Sequence, residues 1–462
     1  MRISRIGLTH SLDLAIVVAM LIAVLLTPVA FLVPFADEWS RVNYMNDHST
    51  WELMVMHSLT WVVRPTAELI MGLATHPYTR PALAGNFTAV AFLRTFRRMY
   101  FALAFTYCAL LALNAVVLKG RWLAREQTTL VALGVLTCWL TSEELGCGFY
   151  WIDGYGNVLI PFALLTSGLL LLARSRKLVP LAGAAVLIVL AALGHEVMCI
   201  YALGVLGLRT ALRRPRSDGW ARWGVGAGLL LVCGAVLWAQ LFSEGPRIRG
   251  GHYANVSGSR YHFDIALESV LQIDPLRALL AVLTPILGVA IYRDHLAGLP
   301  RHAAADFARN RLFWVLLAAG TLLTCCLPLA SVGLTKGRSN ISAAYSTLTH
   351  LLFVVLGFVL CPILDRLSEP LLRGYRRHIG TVLPVLLVLW VTSNNRESFE
   401  RAVVQHAELK AQARAYMTKL FDADKRAYVC RPDHPYVKKA RGSTDRGEAA
   451  YFHLERVRHR CP

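Results

Sequence analysis

The chain has 462 residues, 55% of them hydrophobic and only 17% charged, with a mean hydropathy of +0.47. That balance excludes an ordinary soluble protein of this size and reads as a polytopic membrane protein. The formal net charge of +19 could suit nucleic acid. The Lys and Arg residues fall mostly in short clusters between apolar runs, however, where they act as orientation signals, so no nucleic-acid partner is expected.

Arg2 and Arg5 precede the first apolar run, residues 12–35, which is long enough to cross a bilayer and is expected to stay as a spanning helix, since no small-x-small cleavage site precedes Asp37. The N-terminus is then cytoplasmic, and Asp37 and Glu38 open a first outer loop over residues 36–98. Inside that loop, residues 51–74 are apolar but interrupted by Glu52, Arg64, Pro65 and Glu68, so they are expected to form an interfacial or partly re-entrant amphipathic stretch. A crossing is expected over residues 99–118, with Arg94, Arg97 and Arg98 at its outer end, and it ends at the cytoplasmic cluster Lys119, Arg121 and Arg125.

Residues 129–140 lead out to the segment from Ser142 to Asn157, which holds Glu143, Glu144 and Asp153, and residues 158–173 return to Arg174, Arg176 and Lys177. Residues 178–208 carry basic clusters at both ends and a single strongly polar pair, His195-Glu196, near the middle. A hairpin with its tip at that pair keeps both clusters inside. Its short arms suggest that the tip sits in a recessed, water-filled cleft.

Residues 223–242 go out again, to a loop containing Pro246-Arg247-Ile248-Arg249. Crossings follow over 276–292, 312–332, 348–364 and 382–391, with Lys336 and Arg338 in an outer loop. The expectation is an all-α polytopic membrane protein of about eleven transmembrane helices over residues 1–393, with the C-terminus outside. The polar tail, 394–462, is expected to begin with an amphipathic helix, because Phe399, Val403, Leu409, Ala413, Met417 and Leu420 come close to helical spacing. Cys430 and Cys461 fall in that tail, either as a disulfide suited to an oxidising compartment or as two free thiols. No cysteine spacing matches a zinc site.

This topology gathers Asp37, Glu38, Arg64, Glu143, Glu144, Asp153, His195, Glu196, Arg247, Arg249, Lys336 and Arg338 on the outer side. Carboxylates and a histidine supply candidates for a general base, and arginines offer bidentate contacts to phosphate. The chain has no glycine-rich phosphate loop and no nucleotide fingerprint, so a lipid-linked donor suits it better than a soluble nucleotide. Plainer readings stand beside these. Asp37-Glu38 reads equally as a solvated helix flank, and Tyr150, Trp151 and Tyr155 around Asp153 as an interfacial aromatic belt. His195-Glu196 reads also as a structural contact, and Arg247, Arg249 and Arg338 as binders of lipid headgroups.

The pattern resembles the GT-C class of integral-membrane glycosyltransferases, and within it bacterial multi-pass families of the O-antigen glucosyltransferase type. Asp37-Glu38 stands where that class carries an acidic first-loop motif. Trp61-Val62-Val63-Arg64 resembles the tryptophan and arginine of the same loop, without the glycine before the arginine. The segment holding Tyr150, Asp153 and Asn157 resembles an aromatic, glycine and asparagine signature ahead of Pro161, while Gly194-His195-Glu196 matches a helix-tip pair and Pro246-Arg247-Ile248-Arg249 matches part of a proline and arginine loop.

The resemblance implies inverting transfer of a sugar from a polyprenyl-phosphate carrier to an envelope glycan or lipid acceptor, on the periplasmic face of a bacterial inner membrane. Asp37 would be the base, with Glu38 the second choice, and Arg64, Arg247 and Arg338 would hold the departing carrier phosphate. Some members of the class use a divalent metal and others do not. Rival readings are a lipid-linked glycan transporter or flippase, which calls for internal repeats and mid-membrane polar residues, an O-antigen ligase or polymerase, and a structural or assembly protein.

Overall fold

A computed structural model of the protein describes residues 29–30, 32–34, 37–60, 63–119, 152–175, 177–212, 219–244, 403–422, 428–430 and 456–458. These residues are almost entirely helical. Residues 37–75 contribute α1 (Asp37–Tyr44), α2 (Thr50–Thr60) and α3 (Pro65–Thr75), and then comes the long α4 (Ala89–Lys119). One turn of α-helix (Ile152–Gly154) and a π turn (Tyr155–Leu159) run without a break into α5 (Ile160–Arg174). After them come α6 (Leu178–Ala192), α7 (Glu196–Leu212), α8 (Trp220–Phe242) and the tail helix α9 (His406–Asp422). Two three-residue strands, β1 (Tyr428–Cys430) and β2 (Arg456–Arg458), pair in parallel with Cys430 opposite Arg458.

Local chemistry accounts for several boundaries. The end of the first apolar run is not one straight helix: residues 29–30 form a tight turn and 32–34 are irregular. Pro34 lacks an N–H to donate and biases the residue before it away from helical backbone. In α2, Ser49 and Glu52 cap each other, since Glu52 Oε2 accepts from the Ser49 amide at 2.6 Å and Ser49 Oγ accepts from the Glu52 amide at 3.2 Å. Pro65 stands at the first position of α3, and within 51–74 the described residues 51–60 and 65–74 form two short helices packed on each other.

The long helix α4 begins ten residues before the expected crossing at 99. Arg94, Arg97 and Arg98 therefore lie within the helix. Arg94 and Arg98 stay at the surface, whereas Arg97 is partly buried with Nη2 at 3.5 Å from the Leu32 carbonyl.

The break expected at His195-Glu196 is present. Helix α6 ends at Ala192, residues 193–195 turn, and Glu196 opens α7. The two arms rest mainly on other helices: α6 packs along α5, and α7 along α8. Helix α8 runs antiparallel to α7, as shown by contacts from Trp223 to the Thr210 carbonyl, from Cys199 to the Cys233 carbonyl, and from Gln240 to the Ala192 carbonyl near the break. The expected tail helix is also present, with Leu409, Ala413, Met417 and Leu420 buried and Val403 left exposed.

Only α8, among the described residues, is both long and apolar enough to cross a bilayer. Its 23 residues span about 35 Å, against roughly 30 Å of hydrocarbon. Residues 178–192 and 198–207 are apolar but shorter. Of the eleven crossings expected, one is long and apolar enough among the described residues; those at 99–118, 158–173 and the two arms of 178–208 are helical there without passing that test, and those at 129–140, 276–292, 312–332, 348–364, 382–391 and nearly all of 12–35 lie outside the described residues.

Close packing of α5 on α6 depends on Gly168. A Cβ added there would stand 2.7 Å from Ile188 Cγ1 and 3.0 Å from the Ala184 carbonyl oxygen. Backbone atoms do not move aside as a flexible side chain would. Gly168→Ala is expected to push the two helices apart and destabilise the protein by about 1–3 kcal/mol, read as a lower midpoint of thermal unfolding in detergent.

Candidate functional site

Four segments that are distant in sequence meet at one end of the helices. Helix α1 brings Glu38 and Arg41, α3 and the residues before it bring Arg64 and Glu68, the 152–159 segment brings Asp153 and Asn157, and the 193–196 break brings His195 and Glu196. Polar side chains are dear to bury singly, so they come as partners.

Arg41 is the hub of the first set. Its side chain is 6% exposed; Nη1 donates to Asp153 Oδ1 and Nη2 lies 3.4 Å from Glu68 Oε2. His57 of α2 adds Nδ1 at 3.2 Å from the same Glu68 oxygen. Glu38, 1% exposed, accepts the Ile152 amide at 2.7 Å through Oε1, and so satisfies a donor at the start of the 152–174 helix. Burial by itself would raise the Glu68 carboxyl, but the Arg41 guanidinium, the hydrogen bond and charge of His57, and the charge of Arg64 together hold it below the usual carboxylate range.

Arg64 ties together the second set. Nε donates to Glu196 Oε2 at 2.7 Å and Nη2 to Glu196 Oε1, a two-pronged pair, while Nη1 reaches Asn157 Oδ1 at 3.3 Å. His195 Nδ1 stands 3.7 Å from Glu196 Oε2. The backbone joins the same seam, since the Thr66 amide donates to the Leu193 carbonyl at 3.3 Å. Two glycines allow the close approach. A Cβ on Gly156 would fall 2.4 Å from Met71 Cγ, and one on Gly194 would fall 2.6 Å from Pro161 Cγ. Asn157 lies in the π turn, a local widening of the helix that recurs at functional sites.

Of the candidate site residues, the structure brings together Glu38, Arg64, Asp153, Asn157, His195 and Glu196. Asp37 is the first residue of α1, and its side chain lies outside the described part. Trp61, Tyr150, Arg247, Arg249 and Arg338 lie outside the described residues, as do Glu143, Glu144, Lys336 and Cys461. The solvated-flank reading of Asp37-Glu38 does not hold for Glu38, which is buried with its carboxylate on a backbone amide. His195-Glu196 is a contact to Arg64, so the buried acid has its partner.

Three residues of the cluster carried no sequence expectation as site residues. Arg41, His57 and Glu68 are central to it, and only Glu68 gave a signal, as a charge inside an apolar stretch. No group of three or more His, Cys, Asp or Glu among the described residues is arranged to hold a metal ion. Glu38, Glu68, Asp153 and Glu196 direct oxygens toward N–H groups of the backbone and of arginine. No protein-family model matches the chain, and no curated protein and no solved structure shows significant similarity to it.

The lowered Glu68 carboxyl links this cluster to pH. Its ionised form is favoured in the folded chain, so the stability it contributes is fully present above about pH 4.5 and is lost as pH falls through the lowered folded value. In Glu68→Gln that part of the acid-unfolding profile is expected to flatten, measured as midpoint against pH between about 3 and 7.

Proposed function

We propose that the chain is a GT-C-like membrane glycosyltransferase of about eleven transmembrane helices, moving a sugar from a polyprenyl-phosphate carrier to an envelope glycan or lipid acceptor on the periplasmic face of a bacterial inner membrane. The observation that carries this reading is the convergence of α1, Arg64 and Glu68, the 153–157 turn and the 193–196 break on one polar cluster. These are the segments that topology and the resemblance to the class assign to one side. A second support is that the tail helix α9 packs on the loop-side end of α4, as a tail on the same side as the first loop requires.

In the reaction the acceptor hydroxyl attacks the anomeric carbon while the bond from that carbon to the carrier phosphate oxygen breaks. A carboxylate takes the hydroxyl proton, and the phosphate leaves with the bonding electrons. Within the acidic pair the cluster favours a division of labour. Glu38 is committed to the Ile152 amide, which leaves Asp37, at the start of the same helix, as the base. Arg247, Arg249 and Arg338 would meet the charge growing on the phosphate. Arg64 belongs to the Glu196 and Asn157 contacts in the present arrangement, so it would reach a phosphate only by exchanging a carboxylate for it.

Asp37→Asn is expected to abolish transfer from polyprenyl-phosphate sugars to envelope acceptors while the protein still extracts as a folded species. Glu38→Gln, whose side-chain carbonyl can still accept the Ile152 amide, is expected to retain most of it. Wild-type rates in the Asp37 variant would end the assignment of the base. The shared face is tested separately by a reporter fused after Pro462, which is expected to read as periplasmic; a cytoplasmic signal would break the parity behind it.

A further inference from the structure

The tail helix lies more than 300 positions from the acidic pair in sequence but close to it in space. Helix α9 turns Leu409, Ala413, Tyr416, Met417 and Leu420 into the interior, a continuous stripe along one side. Its last turn adds Phe421, whose ring lies 4.7 Å from that of Phe87 and 5.7 Å from that of Phe92, edge-on to the latter. The tail helix also packs directly against α4.

Phe92 is the link. It is fully buried, and its ring stacks on Trp39 with centroids 5.4 Å apart and planes 11° from parallel, while Tyr78 meets it edge-on at 5.3 Å. Trp39 is itself fully buried in α1 and directly follows Glu38. A line of three rings, Phe421, Phe92 and Trp39, therefore runs from the tail to the helix that carries Asp37 and Glu38. Contacts of this kind are directional and lie in a close-packed interior, so shifting one ring shifts the next.

We infer that the tail helix positions α1: Phe421 closes the outer side of Phe92, on which Trp39 stacks, and so fixes the orientation of the helix bearing the acidic pair. Phe421 is a positioning residue and touches none of the reacting groups. The tail is thus part of the site's scaffold and not an appended domain. Only the kinetic consequence rests on the proposed function; the structural consequence does not.

Hydrogen exchange on the full-length protein in detergent separates the two. In Phe421→Ala, peptides covering 37–44 are expected to exchange about three- to tenfold faster, while peptides covering 178–192 keep wild-type protection. Phe421→Leu, which keeps an apolar side chain against Phe92, is expected to restore protection at 37–44 at least in part. Unchanged exchange at 37–44 while 406–422 loosens would overturn the proposal, because the tail would then be only docked. Equal loosening of 37–44 and 178–192 would also overturn it, making Phe421 a general support. With a transfer assay in hand, kcat is expected to fall in Phe421→Ala with little change in KM. If the wild-type protein shows no transfer, the functional reading fails by itself and the exchange result still decides the role of the tail.

Discussion

The arrangement depends on one buried guanidinium. Arg41 joins α1 to Asp153, at the head of the 152–174 helix, and to Glu68 of α3, three segments with no covalent route shorter than tens of residues between them. Removing one partner of a buried ion pair typically costs about 3–5 kcal/mol, because the charge left behind has neither water nor counter-charge. Here two carboxylates, Glu68 and Asp153, would lose the same guanidinium at once, with His57 still beside Glu68. The pair is therefore better understood as fixing which segments meet than as adding net stability, since apolar packing of the same volume could be as stable.

Around that hub the cluster divides into two layers of different character. The layer of Glu38, Arg41, Glu68 and Asp153 is shut away from solvent, and its hydrogen bonds leave it little freedom. The layer of Arg64, Asn157 and His195 around the buried Glu196 is half-buried and lies where helices begin, widen or break: just before α3, in the π turn and in the gap between α6 and α7. Under the proposed function, a fixed layer beneath a more accessible one is an advantage, since groups that move little need not reorganise when charge develops.

Much of this was legible in the sequence where one residue type contradicted its surroundings. His195-Glu196 was the only strongly polar pair in thirty apolar residues, and the chain does break there. The spacing of Leu409, Ala413, Met417 and Leu420 gave the tail helix. Arg41 was not legible, because its partners lie 27 and 112 positions away and its own neighbourhood reads as an ordinary polar helix. Nor was the early start of α4, since arginines at 94, 97 and 98 resemble a loop until the apolar residues beside them, Phe92, Leu93 and Phe96, are seen to be buried. The sequence carries periodicity and contradiction, whereas long-range pairing has to be seen in space.

The π turn at Tyr155–Leu159 sets a phase between two anchors. Below it, α5 is locked to α6 through the bare face of Gly168; above it, Asp153 is held by Arg41. A π turn takes up one more residue than an α turn, and each residue rotates a helix by about 100°. Deleting a single residue within 155–159 would relax the turn to ordinary α-helix and swing Asp153 about a quarter-turn away from Arg41, with α5 still seated on α6. The turn therefore makes this stretch intolerant of changes in length even where it would accept changes of side chain.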